Sequence, residues 1–182
     1  MIPLAFVLLR LPAYFNWTDC GPQDRLIHIQ NFQIGPVPLV LPGIIKLSLE
    51  GFVSGTLGHD FRMDVSIKKW ILGQWANLPC INNIGSCHYD NPMEILKDSQ
   101  DNCGSQRILG LQCFLTKTFL SPERLHISNE SFNVAHISET YSRFVEGSYR
   151  YHLEVKRGGK VIGCLTADLT MELASSIGVL FG

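Results

Sequence analysis

The chain of 182 residues is within the range of one domain and is long enough to enclose a sizeable core. Charged residues make up 17 % of it, below the roughly 25 % of an ordinary soluble domain, and with 16 Gly and 9 Pro this predicts many turns and much buried apolar surface. The formal net charge is −1 and no block of like charge occurs, so a nucleic-acid footprint is excluded as a partner class.

Ile2 to Leu9 forms an apolar run like the core of a signal peptide, but it lacks a basic start and Arg10 interrupts it. Leu11-Pro12-Ala13 is a poor cleavage site, because Leu stands where a small residue is needed. Residues 1–14 are read as the remnant of a secretory signal, and 15–182 as a single domain. No apolar stretch is long enough to span a bilayer.

Leu26 to Gln33 is a weak strand candidate. Pro36, Pro38 and Pro42 make the stretch around Val37-Leu39-Val40-Leu41 an edge, or an irregular entry to the strand after Gly43, since proline cannot donate to a ladder. Ile45, Leu47 and Leu49 then alternate with Lys46, Ser48 and Glu50. Phe61, Met63, Val65 and Ile67 alternate with Arg62, Asp64, Ser66 and Lys68, which predicts a half-buried strand. From Trp70 to Cys87 the alternation is lost and the chain is apolar throughout. Two tryptophans flank Gly73 here. Trp70 continues the strand and fits a core as well as a surface. Trp75 follows Gly73-Gln74 and is expected at a loop tip, where an apolar ring with a wet N–H suits a membrane interface.

Asn91 as a cap, Pro92 at the first helical position and Glu94 three residues after the cap predict a short helix near 91–98. Leu111 to Ile127 is a second weak strand region. Tyr149, Tyr151, Leu153 and Val155 alternate with Arg150, His152, Glu154 and Lys156. Gly158-Gly159 supplies a tight hairpin turn, and Val161, Gly163, Leu165, Ala167, Leu169 and Met171 carry the next strand. The pattern is that of one all-β domain with strands at sandwich-like spacing.

The cysteines are Cys20, Cys80, Cys87, Cys103, Cys113 and Cys164. Their number is even and no C-x-x-C occurs, which argues against a zinc site or a thioredoxin-like motif and leaves fifteen disulfide pairings. Asn16-Trp17-Thr18 and Asn129-Glu130-Ser131 are sequons, making Asn16 and Asn129 candidate glycosylation sites. Together these place the protein in the secretory pathway, an oxidising compartment. The six histidines show neither H-x-H nor H-x-x-x-H spacing, so no metal site is expected, and no cofactor either. Gly51-Phe52-Val53-Ser54-Gly55 has its serine one place late for a nucleophile elbow, and no P-loop or dinucleotide fingerprint appears. No catalytic residue is assigned.

Several segments, in order, carry a resemblance. They are Trp17-Thr18-Asp19-Cys20; Leu41-Pro42-Gly43 with Leu47-Ser48-Leu49; Leu72-Gly73-Gln74-Trp75 through Leu78-Pro79-Cys80 to Ile84-Gly85-Ser86-Cys87; Gly110-Leu111-Gln112-Cys113; Gly147-Ser148-Tyr149-Arg150; and Gly159-Lys160-Val161-Ile162-Gly163-Cys164. Together they resemble the lysosomal sphingolipid activators of the ML (MD-2-related lipid-recognition) family, over roughly Trp17 to Cys164. The resemblance implies a β-cup: two antiparallel sheets, arranged like an immunoglobulin sandwich and opened to leave an apolar cavity. It implies the disulfides Cys20–Cys164, Cys80–Cys87 and Cys103–Cys113. It further implies a non-catalytic protein, lysosomal or extracellular, that docks peripherally on membranes and extracts a glycosphingolipid or phospholipid. Such a protein presents that lipid, and a lysosomal glycosidase is the implied partner.

The expected membrane-dipping loop is Trp75 with Ile71 and Leu72, and Phe144 with Val145 is a second candidate. Two departures stand out. A fourth family disulfide is absent, with Met93 and Leu115 at its two positions, and Ser142-Arg143-Phe144-Val145 replaces an apolar tryptophan loop. Protonation of all six histidines would move the formal charge from −1 to +5, which would draw the protein to anionic lipid surfaces near pH 5. The rival readings are a sterol or innate-immune lipid carrier of the same fold, a secreted structural or adhesion module without ligand, and a hydrolase.

Overall fold

The computed structural model describes residues 12–55, 60–81, 85–90, 92, 124–134, 142 and 145–174. Apart from Pro92, the helix expected near 91–98 falls outside these residues, as do Met93, Cys103, Cys113, Leu115 and Phe144. No helix among the described residues is long and apolar enough to cross a membrane.

The fold is all-β and consists of two antiparallel sheets. The wider sheet runs in the order β1 (Phe15–Asp19), β10 (Lys160–Leu173), β9 (Gly147–Arg157), β5 (Phe61–Ile71) and β6 (Gln74–Asn77). β3 (Leu39–Leu41) lies parallel to the end of β10, and β7 (His88–Tyr89) pairs with β5. The narrower sheet is β2 (Ile27–Gly35), β4 (Gly43–Val53) and β8 (Arg124–Val134). The period-two segments of the sequence are these strands. The turn between β9 and β10 falls at Gly158-Gly159, as expected.

One phase differs from the sequence reading. The pairing of β10 with β9 shifts between Val161 and Gly163. The extra residue turns Val161 toward the face that carries Lys156 and sends Ile162, 4 % exposed, into the core. An alternation count assumes an unbroken pleat, and a bulge inverts it.

The two sheets meet in two core clusters, bridged by the half-buried Ile34 of β2. One joins Ile27, Leu47, Leu49, Leu125 and Ile127 of the narrow sheet to Phe61, Val155 and Ile162 of the wide one. The other joins Leu39, Leu41, Ile45 and Val134 to Val145, Tyr149 and Leu169. Val145, expected at a membrane-facing loop, is therefore core: it packs with the second cluster and has no apolar surface to offer a bilayer.

Covalent and polar ties hold the margins. Cys20–Cys164 joins β10 to the end of β1 across 144 residues of chain. Next to it Asp19 accepts hydrogen bonds from Arg25 Nε and from the backbone N–H groups of Gly21 and Ile29, each at 3.0 Å, which links β1 to β2. Tyr14, at the end of the segment read as a signal remnant, exchanges hydrogen bonds with Thr170.

The outer face of the wide sheet carries a line of ion pairs. His88 Nδ1 lies 2.7 Å from Asp64, Lys156 Nζ donates to Asp64 at 2.8 Å and to Glu154 at 2.6 Å, and His152 Nε2 lies 3.4 Å from Glu154. The hydrogen bond from His88 lowers the Asp64 pKa, with Lys156 adding to it; Lys156 does the same for Glu154. A carboxyl whose folded pKa is lowered binds fewer protons folded than unfolded. Its contribution is present above the ordinary carboxylate pKa and is lost as pH falls through the lowered one. Stability from these pairs should therefore hold from pH 7 to pH 5 and drop below about pH 4. In Lys156→Met the drop should flatten, with a loss at pH 7 of about 1 kcal/mol or less. Urea unfolding of both proteins across this pH range checks it, and an identical pH profile would reject the assignment.

Candidate functional site

The inward face of the wide sheet can be followed rung by rung across its paired strands. Met63, Val155 and Gly163 form one rung, and all three are buried. The next holds Val65, Leu153, Leu165 and, on the edge strand, Asp19; the one after holds Ile67, Tyr151, Ala167 and Trp17. Of these eight only Ala167 is buried, and the other seven are half-buried. In the following rung Lys69, Tyr149 and Leu169 are buried again, at 9, 3 and 6 %, with the edge residue Phe15 half-buried beside them.

This order is the reverse of a filled sandwich, whose middle is its most buried part. Leu153, Tyr151 and Leu165 lie on β9 and β10, inner strands of the sheet, so a sheet edge does not account for their accessible surface. Tyr151 is deeply surrounded by protein, and this burial raises its phenol pKa well above the ordinary value, yet its side chain keeps accessible area. The opposing sheet has three strands among the described residues; its Phe32 packs against the first core and stands edge-on to Phe15 at 5.6 Å and to Trp17 at 6.3 Å, while its Ile34 packs against both cores. Among the described residues, an apolar wall about two rungs deep thus keeps accessible surface between the two cores, with Ile67 and Tyr151 also packed against the second of them. Alternation revealed which way these residues face. It carries no signal for whether the other sheet reaches them.

The second feature is the β5–β6 hairpin. Ile71 pairs with Gln74 around a two-residue turn, Leu72 at φ 48° and Gly73 at φ 86°. A turn with two positive φ angles normally takes Asn-Gly, because an L side chain larger than Asn is strained there. Leu72 occupies that position and is 98 % exposed. Ile71 on the inward phase and Trp70 on the outward phase are each 40 % exposed. Trp75, expected at the tip, stands on β6 opposite Trp70, with the rings edge-on at 5.2 Å. It is half-buried under the guanidinium of Arg150, 4.5 Å from its ring centre. Arg150 is held by Asp168 through two bonds of 2.8 and 2.7 Å.

The hairpin has a fixed base. The chain after β6 folds back along the free side of β5, pinned by Cys80–Cys87. Val65 N–H donates to Cys87 O at 2.8 Å, Ile67 N–H to Ser86 Oγ at 2.9 Å, and Leu78 N–H to Ile67 O at 2.8 Å. These bonds satisfy an edge strand that would otherwise be open to pairing with another chain.

The remaining candidates sort simply. Asn16 and Asn129 are both exposed, on β1 and β8. Cys20, His152 and Cys164 come together in ligand-like proximity, but both sulfurs are tied in the disulfide and offer no thiolate. A fifth inward-phase residue of β5, Lys69, was passed over in the sequence. Its signal was legible: a lysine where the alternation calls for an apolar side chain.

No family model matches the chain. It is 28 % identical to the ganglioside GM2 activator of Mus musculus over 165 residues, which is 87 % of this chain and 82 % of that protein. To the ganglioside GM2 activator of Macaca fascicularis it is 27 % identical, over 87 % of this chain and 83 % of the relative. Among solved structures it aligns with chicken MD-1 complexed with lipid IVa at a TM-score of 0.39 and 11 % identity, covering 87 % of this chain and 90 % of that one.

Proposed function

We propose that this protein is a non-catalytic lipid carrier of the secretory pathway: it docks on a membrane, extracts a glycosphingolipid or phospholipid, and presents it. The observation that carries the reading is the half-buried wall of Trp17, Val65, Ile67, Tyr151, Leu153 and Leu165 between two closed cores. Apolar surface in this position is costly until it is covered, and covering it with an acyl chain is worth about 0.8 kcal/mol per methylene. No reacting group is required. The names of the mouse and macaque relatives support the same class, and presentation to a lysosomal glycosidase extends the reading to a partner.

The hairpin supports membrane docking over docking on a protein. A protein partner would cover one face of it. Here Ile71 and Trp70 lie on opposite faces and Leu72 leads, so apolar surface points in every direction from the tip, as a wedge in lipid requires.

Leu153→Phe separates a lining residue from a core residue. In a filled core the larger side chain would cost about 1–3 kcal/mol. On an open wall the variant is expected to keep its unfolding midpoint and to extract less lipid from liposomes, read by native mass spectrometry of the recovered protein. A lowered midpoint with normal lipid content would overturn the assignment of the wall. A wild-type protein that takes up no lipid would overturn the function.

A further inference from the structure

The inward face of β9 carries two phenols in succession, Tyr149 and Tyr151, before it turns apolar at Leu153 and Val155. Tyr149 is 3 % exposed and belongs to the second core. Tyr151 stands at the border of that core. Its ring packs against the cluster and lies 6.4 Å from the ring of Tyr149. On its other side begins the rung of Val65, Leu153 and Leu165, which keep accessible surface and belong to neither cluster.

A phenylalanine at this position would fill the same ring space. A phenol oxygen withdrawn from water also needs a hydrogen bond to offset its lost hydration. The side chains beside Tyr151 cannot supply one. Ile67 and Ala167 pair with it on β5 and β10, and Val65, Leu153 and Leu165 form the next rung. None of these five has a side-chain donor or acceptor. Among the described residues no hydrogen bond reaches the Tyr151 hydroxyl, and no fully shielded side-chain oxygen lacks a partner, so this oxygen has accessible surface. Protein surrounds the side chain, and the same enclosure keeps the phenol neutral by raising its pKa. Surface that stays accessible on an enclosed side chain faces a space within the molecule. Into that space Tyr151 presents a neutral group able to donate one hydrogen bond and to accept others.

We infer that the Tyr151 hydroxyl donates a hydrogen bond to the carbonyl that links a lipid's acyl chain to its polar part, with the chain laid over Val65, Leu153 and Leu165. The inference rests on the lipid-carrying reading and adds to it a specificity-determining residue and the feature of the ligand that it selects. The amide of a sphingolipid and the ester of a diacyl phospholipid share this carbonyl. An ether-linked lipid can have the same chains and headgroup, but it has no carbonyl to accept the bond and leaves the phenol poorly paired when it binds.

The test loads the full-length wild-type protein and Tyr151→Phe from vesicles of three phosphocholine lipids with equal chain lengths, in equal parts. One is diacyl with ester links, one is dialkyl with ether links, and one is sphingomyelin with an amide link. Native mass spectrometry then counts the bound species. Wild type should carry a carbonyl lipid over the dialkyl lipid by about fivefold, the ratio one neutral hydrogen bond supplies. Tyr151→Phe should carry as much lipid in total, with that ratio near one and an unchanged unfolding midpoint. The carbonyl lipid whose lead the variant loses, ester or amide, identifies the source. The same ratio in both proteins overturns the role of Tyr151 and leaves the carrier reading standing. A lowered midpoint in Tyr151→Phe would show the hydroxyl to be bonded within the protein, and overturns that role as well. No lipid in either protein overturns the carrier reading itself.

Discussion

Replacing Cys20 and Cys164 together by serine is expected to cost the folded state about 5 kcal/mol and to leave the protein largely unfolded at 37 °C. The bond closes a loop of 144 residues, nearly the whole described domain. In the chain-entropy model the cost grows with the logarithm of loop length, so few disulfides in a chain of this size could be worth more. A total stability of about 5–15 kcal/mol leaves little margin for the loss. The Cys80–Cys87 bond closes a separation of only 7 residues, so the same double substitution there should cost less in global unfolding. Its expected effect is local: the hairpin base loosens, and membrane docking falls while the core stays intact. Guanidinium unfolding of both double variants is the measurement. Equal losses would show that the long bond does not act through the unfolded chain.

Leu72→Asn is expected to raise stability by about 1 kcal/mol and to lower liposome binding by about tenfold. The signs are opposite because Leu72 sits in a left-handed conformation that Asn tolerates and Leu does not, while 98 % of its apolar surface faces solvent. A residue kept for the fold would lose both quantities on replacement. Trp75→Ser is the less informative substitution. Trp75 packs between Trp70 and Arg150, so its removal disturbs the sheet as well as any membrane contact. Unfolding midpoints and co-sedimentation with liposomes, measured on one preparation of Leu72→Asn, decide the matter. Unchanged sedimentation would remove the hairpin tip from the docking surface.

What the sequence made legible follows from which forces are local. Alternation at Phe61–Ile67 and Tyr149–Val155 reports a strand's two faces, and the strands are where it puts them. It failed at Val161, because the bulge depends on pairing with β9 and not on β10 alone. It placed the loop tip near Trp75 because Leu72-Gly73 lacks the Asn-Gly that announces a tight turn; the pairing of Ile71 with Gln74 fixes the turn instead. The resemblance offered Val145 to a membrane by its place in the loop that stands for the family's tryptophan loop, whereas the fold gathers it into a buried cluster with Leu41, Ile45 and Leu169. The pairing of Cys20 with Cys164 came from the resemblance. The register now accounts for it: Asp19 stands opposite Leu165, which puts the two cysteines side by side. The accessible wall was out of reach, since it depends on how far the three described strands of the narrow sheet extend over the wider one.

Two cores with an uncovered band between them also bear on how such a protein would part with its cargo. A chain lying along Val65, Ile67 and Leu153 would touch side chains that neither core enlists fully, and would complete the hydrophobic interior from outside the polypeptide. Loading and folding then draw on one free energy. Each tenfold rise in lipid above its dissociation constant adds about 1.4 kcal/mol to the stability of the carrier. On the proposed reading, delivery to an acceptor would remove part of the interior, so the unloaded protein would be the less stable form and would have a thermodynamic reason to refill at a membrane.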